Sequence, residues 1–276
     1  MIIDSHQHFW KYDPIRDSWI DGTMKTIQRD FLPSDLGPVL KKNNVDGCIA
    51  IQADQSEDES NFLLNLAEEN NFIKGVVGWV DLCDPNVDQR LAHYSQSPYF
   101  KGVRHILQAE RPEFMLQDAF LNGIEKLSFF DLTYDILVYS HQLKNSIALV
   151  SKFPEQRFVL DHLAKPPIKS GKLGDWKNDI MELAKNTNVY CKLSGMVTEA
   201  VLGNWSKEDF RPYMDVVLDA FGTERIMYGS DWPVCLLSGN YTEVLSIVSD
   251  YIDQFSVQEQ SQIMGVNAYK FYGLNQ

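Results

Sequence analysis

Residues 2–10 read IIDSHQHFW, a short run in which apolar residues give way to polar ones. A run of this length and composition predicts a β-strand over Ile2–His8. Because strand side chains alternate between the two faces of a sheet, His6 and His8 share one face, one pleat apart. If that face lies inside a barrel, the two imidazoles mark the carboxyl end of the first strand as a place for chemistry. A lone pair of histidines is weak evidence, so the rest of the chain has to decide.

Seven further strand-like runs follow, each separated from the next by a helical pattern. This alternation is typical of parallel βαβ units, and the spacing of about 30 residues between strand starts suits one strand, one helix and two loops. Ser56 with Glu59 and Ser256 with Glu259 form capping-box patterns at helix starts. We therefore predict an α/β fold, a single-domain (β/α)8 TIM barrel over residues 1–276. The expected strands are Ile2–His8, Val45–Gln52, Ile73–Val80, Lys101–Ile106, Leu132–Tyr139, Arg157–His162, Val189–Leu193 and Arg225–Asp231.

The connection after the first strand is longer than the others. Residues 9–33 pass before a helix that Ser34 and Asp35 are expected to cap, and loops of this length are usually functional. Its aromatic residues support two interpretations: a lid that covers a polar ligand at the barrel mouth, or a plug that fills the barrel rim. The residues concerned are Trp10, Tyr12, Trp19 and Phe31, together with Lys11 and Arg16.

Composition excludes several classes of protein. A net charge of −13, with only 25 Lys and Arg residues along 276, argues against nucleic acid or an anionic membrane as the partner. The first strand starts at Ile2, which leaves no room for a signal peptide, and no apolar run approaches the roughly 18 residues of a membrane span. We expect a cytoplasmic enzyme, possibly a homo-oligomer. The four cysteines, Cys48, Cys83, Cys191 and Cys235, show no CxxC pairing, and we expect no disulfide.

Polar side chains gather at the predicted strand ends. In a βα barrel the carboxyl ends of the strands form the active-site mouth, so polar residues there need a reason beyond packing. Strand four ends with Arg104 and His105, strand six with Asp161 and His162, and strand eight with Asp231. Five of the six histidines lie at or just beyond a strand end: His6, His8, His105, His141 and His162. We predict that His6, His8 and Asp231 belong to an active site.

Four motifs give the chain a family resemblance. After the opening IIDSHQHFW come GVRHILQ (102–108), VLDHLAKP (159–166), CKLSGM (191–196) and RIMYGSDWPVC (225–235). Together they resemble the amidohydrolase superfamily, in particular the branch with sugar lactonases and 2-pyrone-4,6-dicarboxylate lactonase. The resemblance covers nearly the whole chain and is greatest to L-fucono- and L-rhamnono-lactonases.

The resemblance implies roles for particular residues. His6 and His8 match the strand-one pair, His162 matches the strand-six histidine, and Asp231 matches the aspartate that activates water. Arg104 and His105 match an element that lines the substrate pocket, where two-metal relatives carry a bridging ligand on or near strand four. We therefore expect no two-metal site, and either one divalent ion (Zn or Mn) on His6, His8 and Asp231, or none.

The substrate expected is a small sugar lactone, opened by hydrolysis. Asp231 would accept a proton from the attacking water and return it to the departing ring oxygen. His6, His8 and His162 would hold the oxyanion, as donors or through a bound cation. Substrate-binding residues are expected among polar groups at strand ends and two tryptophans that could cover an apolar face. They are Gln52, Trp79, Arg104, His105, Lys165, Lys192, Ser194 and Trp232.

Other interpretations stay open. The chain could be a metal-dependent decarboxylase of an unsaturated or aromatic acid, a 2-pyrone-dicarboxylate type of lactonase, or a barrel that binds without catalysis. Asp161, next to His162, is expected to face the other way and to act as a supporting partner. Lys192 could be structural, His141 is not expected to bind metal, and Cys235 is expected to be inert.

Overall fold

The computed structural model describes residues 1–274. Eight parallel strands lie side by side in chain order, each hydrogen-bonded to the next. Gln7 bridges Trp232, which brings the first and last strands together into a nearly closed barrel. The predicted single-domain (β/α)8 barrel is confirmed. The strands are β1 (Ile3–Gln7), β2 (Gly47–Ile51), β3 (Ile73–Gly78), β4 (Phe100–His105), β5 (Thr133–Ile136), β6 (Phe158–Leu160), β7 (Val189–Leu193) and β8 (Ile226–Tyr228).

Most strands are shorter than the sequence predicts, and the lost residues lie mainly at their carboxyl ends. Strand six was expected to continue to His162 but ends at Leu160, and strand eight was expected to reach Asp231 but ends at Tyr228. His162 and Asp231 have φ angles of 53° and 57°, a left-handed conformation that no strand can contain. Polar residues that looked like strand ends therefore belong to sharp turns at the barrel mouth.

Helices surround the barrel and follow the predicted pattern. Ser56 accepts the backbone N–H of Glu59 at 3.2 Å, and Ser256 accepts that of Glu259 at 3.3 Å, so both predicted helix starts are present. The first helix begins at Pro33, because proline suits the first helical position. Asp35 caps it as predicted by accepting the backbone N–H of Leu32 at 3.0 Å, whereas Ser34 lies inside the helix. The helices are α1 (Pro33–Lys42), α2 (Glu57–Glu69), α3 (Val87–Tyr94), α4 (Asp118–Leu127), α5 (Leu143–Val150), α6 (Gly174–Leu183), α7 (Met196–Glu199), α8 (Lys207–Phe221), α9 (Tyr241–Ile252), α10 (Val257–Ser261) and α11 (Asn267–Phe271).

Two apolar cores hold these layers together. The larger core packs the helices on the outside of the barrel. The smaller core fills the bottom of the barrel, where β-branched residues of the strands meet Phe271, Tyr272 and Leu274 from the end of the described chain. Each fully buried large apolar side chain contributes on the order of 1.5–3 kcal/mol. The C-terminal helix α11 therefore closes the barrel from below and leaves its upper mouth for function.

The long loop of residues 9–33 both plugs the rim and reaches the mouth. Trp10 and Phe31 are buried and pair through their backbones, with N···O distances of 3.0 and 2.9 Å. Trp19 is partly exposed, and its ring packs edge-on against Trp10 with centroids 5.9 Å apart. Trp10 and Phe31 therefore fill the rim, and Trp19 of the same loop lines the cavity, where a role as a lid stays a prediction.

All four cysteines are free, and three of them are buried. Among residues 1–274, no helix has both the length and the apolar character needed to cross a bilayer.

Candidate active site

A cavity of about 300 Å³ opens at the carboxyl ends of the strands. Five predicted site residues line it: His8, Arg104, His162, Lys165 and Asp231. The remaining lining residues comprise Trp19 of the long loop and seven residues that were not predicted to belong to the site. They are Trp19, Ala53, Ile106, Gln108, Ala109, Leu137, Thr198 and Val234.

His6, His8 and Asp231 form a compact cluster. The Nε2 atoms of the two histidines lie 3.2 Å apart. Asp231 Oδ1 lies 3.5 Å from His8 Nε2 and 3.9 Å from His6 Nε2. His8 Nδ1 lies 2.8 Å from the carbonyl oxygen of Ile51, which can only accept, so Nδ1 donates and a neutral ring presents its lone pair at Nε2.

This donor set fits one divalent cation. His6 also presents a lone pair at Nε2 when its Nδ1 carries the proton, and Asp161 Oδ1 lies 3.2 Å from that Nδ1 to accept it. Two lone pairs cannot hydrogen-bond to each other, whereas nitrogen ligands of a tetrahedral zinc ion stand about 3.3 Å apart. The carboxylate of Asp231 supplies the third ligand and a negative charge. The residues named by the sequence as possible metal ligands are therefore the ones that the fold brings together.

His162 joins the cluster from a strained turn. His162, Leu163, Ala164 and Lys165 have φ angles between 50° and 56°, which is costly for residues other than glycine. The turn directs the ring inward, so that Nδ1 lies 2.8 Å from Ser194 Oγ and Nε2 lies 3.8 Å from Asp231 Oδ1. Burial lowers the pKa of His162 to about 4, which keeps the ring neutral near pH 7.

Gly195 makes room for that ring. A Cβ atom at this position would lie 2.6 Å from His162 Nδ1, and the residue has a φ of +63°. Both observations exclude an ordinary side chain here. The glycine of the CKLSGM motif thus has a physical role in placing the strand-six histidine.

Asp231 is ionised. Burial raises the pKa of its carboxyl, but the nearby His162 and His8 rings outweigh burial, and the pKa lies below its ordinary value. A buried carboxylate with a lowered pKa and access to a cavity can accept a proton or a cation.

Beneath the cavity lies a group that we call the buried network, made of Arg104, Asp135, Asp161, Lys192 and Tyr272. Asp161 accepts a hydrogen bond from Arg104 Nη1 at 3.0 Å and lies 2.9 Å from Lys192 Nζ. Asp135 lies 2.5 Å from Lys192 Nζ and accepts the hydroxyl of Tyr272 at 2.8 Å. Burial raises the pKa of Asp161, but the positive charge of Lys192 outweighs it and the pKa lies well below the usual range.

The position of Asp161 corrects one prediction. Asp161 was expected to face away from His162, as neighbours in a strand do. Both point into the barrel, because the strand has ended and the chain has entered the left-handed turn. The supporting role is nevertheless the one observed, since Asp161 contacts His6 from below.

Gln52, Lys192 and Ser194 support the site from outside the cavity wall. Gln52 Oε1 accepts from Arg104 Nε at 3.1 Å and from Nη2 at 2.9 Å. Lys192 is fully buried in the network, and Ser194 contacts His162. The structure places these three residues behind side chains that line the cavity, so substrate contact is not their observed role.

His105, Trp79 and Trp232 lie away from the cavity. Trp79 Nε1 donates to His105 Nδ1 at 3.4 Å, and the His105 ring stacks on Phe114 with centroids 5.0 Å apart. His105 faces outward because side chains alternate along β4 and Arg104, its neighbour, faces inward. Trp232 is buried, with its ring 5.2 Å from that of Phe31.

His141 and Cys235 lie outside the cavity wall. His141 is exposed on a short 3₁₀ helix, where its ring stacks on Tyr139, and it belongs to neither cluster of possible metal ligands found among residues 1–274. Cys235 is buried, and burial raises the pKa of its thiol well above the usual value. A protonated, buried thiol is unreactive.

Comparison with known proteins identifies the family. The family model described as Amidohydrolase (Amidohydro_2) matches residues 3–274. This chain belongs to that amidohydrolase family. The L-fucono-1,5-lactonase of Burkholderia multivorans is 39% identical over 99% of this chain and 96% of its own, and that of Burkholderia ambifaria is 35% identical over the same shares. The crystal structure of a Burkholderia multivorans amidohydrolase with bound zinc superposes with a TM-score of 0.97 at 38% identity, covering 100% of both chains.

These relatives confirm the predicted resemblance. The chain is a hydrolase of the amidohydrolase family, and its whole length takes part in the match.

Proposed function

We propose that this amidohydrolase opens a sugar lactone by hydrolysis of its ring ester, with an L-fucono- or L-rhamnono-lactone as the preferred substrate. The supporting observation is the ionised carboxylate of Asp231 at the wall of the cavity, with imidazole nitrogens of His6, His8 and His162 within 3.9 Å. The relatives that carry the name L-fucono-1,5-lactonase support the choice of substrate class.

Asp231 is the proton carrier in this mechanism. It accepts a proton from water as the water oxygen forms a bond to the lactone carbonyl carbon. When the tetrahedral intermediate collapses, the bond from that carbon to the ring oxygen breaks. The proton then passes from Asp231 to the departing oxygen, and the product is an open hydroxy acid.

His162 stabilises the oxyanion that forms on the carbonyl oxygen. The hydroxyl of Ser194 can donate to His162 Nδ1, and the neutral ring then carries its proton on Nε2. That N–H is a donor aimed at the space beside Asp231. A divalent ion such as Zn²⁺ or Mn²⁺, held by His6, His8 and Asp231, would supply Lewis-acid polarisation of the same carbonyl.

The charges of the cavity favour a neutral polyol over a polycarboxylate. Arg104 lines the cavity, but its nitrogens are committed to Asp161 and to Gln52. Among the residues that line the cavity, Lys165 is the cation for which no carboxylate partner within 4 Å is found. One available cation suits lactone hydroxyls better than the two or three carboxylates of a pyrone-dicarboxylate, and Ile106, Leu137 and Val234 offer an apolar wall to the sugar carbons.

A pH-indicator screen tests the proposal. Enzyme treated with a chelator and enzyme supplied with Zn²⁺ or Mn²⁺ are each given a panel of five- and six-membered aldonolactones. We expect acid release to be fastest with 6-deoxy lactones of the L-fucono or L-rhamnono type. Release of carbon dioxide from an enoic or aromatic acid, with no lactone opened, would instead identify a decarboxylase.

We also propose that the 9–33 loop closes over bound substrate, and the position of Trp19 at the cavity wall supports this. The cytoplasmic location and a homo-oligomeric state stay predictions.

A further inference from the structure

The described chain contains a second group of possible metal ligands beneath the first. Ligand atoms of His6, Asp161 and His162 lie within 4.8 Å of one another, and all three residues are buried. His6 belongs to both groups, so two cations held by these residues would share its imidazole. On ligand chemistry alone, the two groups resemble a site for a pair of ions.

The side chain of Lys192 reaches into the second group. Its Nζ atom lies 2.9 Å from Asp161 Oδ1 and 3.2 Å from His6 Nδ1, so it contacts two of the three possible ligands. The first is a hydrogen-bond distance from an ammonium to a carboxylate, and the second places the same positive charge beside the His6 ring. A divalent ion could not approach the same two atoms without meeting this positive charge.

The ammonium is fixed in that position. Lys192 is fully buried, and its Nζ lies 2.5 Å from Asp135 Oδ2. That same oxygen accepts a hydrogen bond from the Tyr272 hydroxyl at 2.8 Å. Tyr272, at the bottom of the barrel, therefore fixes the carboxylate that pairs with Lys192. Arg104 Nη1, 3.0 Å from Asp161 Oδ2, occupies the other oxygen of the shared aspartate.

We propose that the ammonium of Lys192 takes the place of a second cation, and that it thereby limits the chain to one divalent ion, at His6, His8 and Asp231. The proposal rests on the metal site of the proposed function. Lys192 then has a role outside substrate binding. Its ammonium balances the negative charges of Asp135 and Asp161, as a metal ion otherwise would.

Metal content of purified protein tests the proposal. Parent and Lys192→Ala proteins are incubated with Zn²⁺, desalted, and analysed for zinc per chain by mass spectrometry. We expect the variant to hold one equivalent more than the parent, because the ammonium is gone and its carboxylates remain. Lys192→Arg, which keeps the charge, is the matched control and should hold no more than the parent.

Two further variants make the outcome decisive. Asp135→Asn/Lys192→Ala removes one positive and one negative charge, so the net charge of the network is kept. If Lys192→Ala fails to fold, this double variant takes its place and should hold the extra equivalent of zinc. Lys192→Ala/Asp161→Asn should lose the extra equivalent, which distinguishes the second group from zinc on the protein surface.

The two hypotheses can fail separately. A parent that holds two ions, or charge-removing variants that hold no more than the parent, would overturn the role of Lys192. A parent that holds none would count against the metal part of the proposed function, whereas one ion gained by the variants would still support the role of the ammonium.

Discussion

The two sides of His6 differ in what their charged groups are free to do. Toward the cavity, His8, His162 and Asp231 lie beside open space, and the contacts that join them to one another and to His6 measure 3.2 to 3.9 Å. In the buried network below, shorter contacts join Lys192 to Asp135 and Asp161. Aspartates therefore have different roles on the two sides. A carboxylate open to the cavity can react, whereas a carboxylate buried among cations only balances their charge.

Asp231→Asn should give the largest loss of activity. Removal of the proton acceptor is expected to lower kcat by about 10³-fold, within the range for general bases, while the fold is kept. Initial rates with the best lactone of the panel measure the effect, and thermal unfolding checks the fold. Asp88→Asn on the exposed face of α3 is the matched control. A folded Asp231→Asn protein with parental kcat would show that another group activates water.

Asp135→Asn should affect stability more than chemistry. It leaves the ammonium of Lys192 with one carboxylate fewer, and loss of one partner from a buried ion pair costs about 3 kcal/mol of unfolding free energy. Denaturant unfolding followed by circular dichroism measures this value. Tyr272→Phe, which removes only the hydroxyl that donates to Asp135, should cost about 1 kcal/mol. The contrast between the two regions fails if Asp135→Asn is as stable as the parent but loses activity as Asp231→Asn does.

Lys165→Met should weaken substrate binding without changing the reacting groups. A hydrogen bond from a charged donor contributes about 1.5 kcal/mol or more, so we expect KM to rise about tenfold and kcat to change less. Steady-state kinetics separate the two constants. Lys169→Met removes an exposed lysine four positions further along the chain and should leave both constants unchanged. A fall in kcat with an unchanged KM would instead make Lys165 part of the chemistry.

Trp19→Ala should have the smallest effect. Loss of aromatic contact with bound substrate is worth ~1 kcal/mol, which corresponds to about a fivefold rise in KM. Stability should fall by only about 1 kcal/mol, because Trp19 is 42% exposed and its ring packs edge-on against Trp10. Ile15→Ala, in the same loop at 88% exposure and outside the cavity, is the control. Equal kinetics for the two variants would contradict closure of the loop over substrate.

The sequence predicted the fold because a barrel repeats one pattern eight times. Errors of one to three residues at strand ends, as at Tyr139 and Asp231, left the order and pairing of the strands unchanged. The cluster of His6, His8 and Asp231 was also predictable, since period-two alternation and strand order place these residues at one rim.

Residues in turns could not be placed in this way. Gln108, Leu137 and Thr198 line the cavity from segments beyond the strands, where no periodicity shows the direction of a side chain. The inward position of His162 depends on a left-handed turn that cannot be read from the sequence. For His105 a signal was present: Arg104 and His105 are neighbours in one strand, so only one of them can face the barrel interior.

Closure of the barrel has a consequence for synthesis of the chain. The backbone N–H of His8 donates to the carbonyl of Trp232 at 2.7 Å, and that of Asp231 donates to the carbonyl of His6 at 2.8 Å. The groups of the candidate site thus belong to the seam that joins the first strand to the last. A ribosome must make more than 220 further residues after His8 before Asp231 exists to meet it. The candidate site therefore forms last, and a chain released early carries two of its histidines but cannot assemble it.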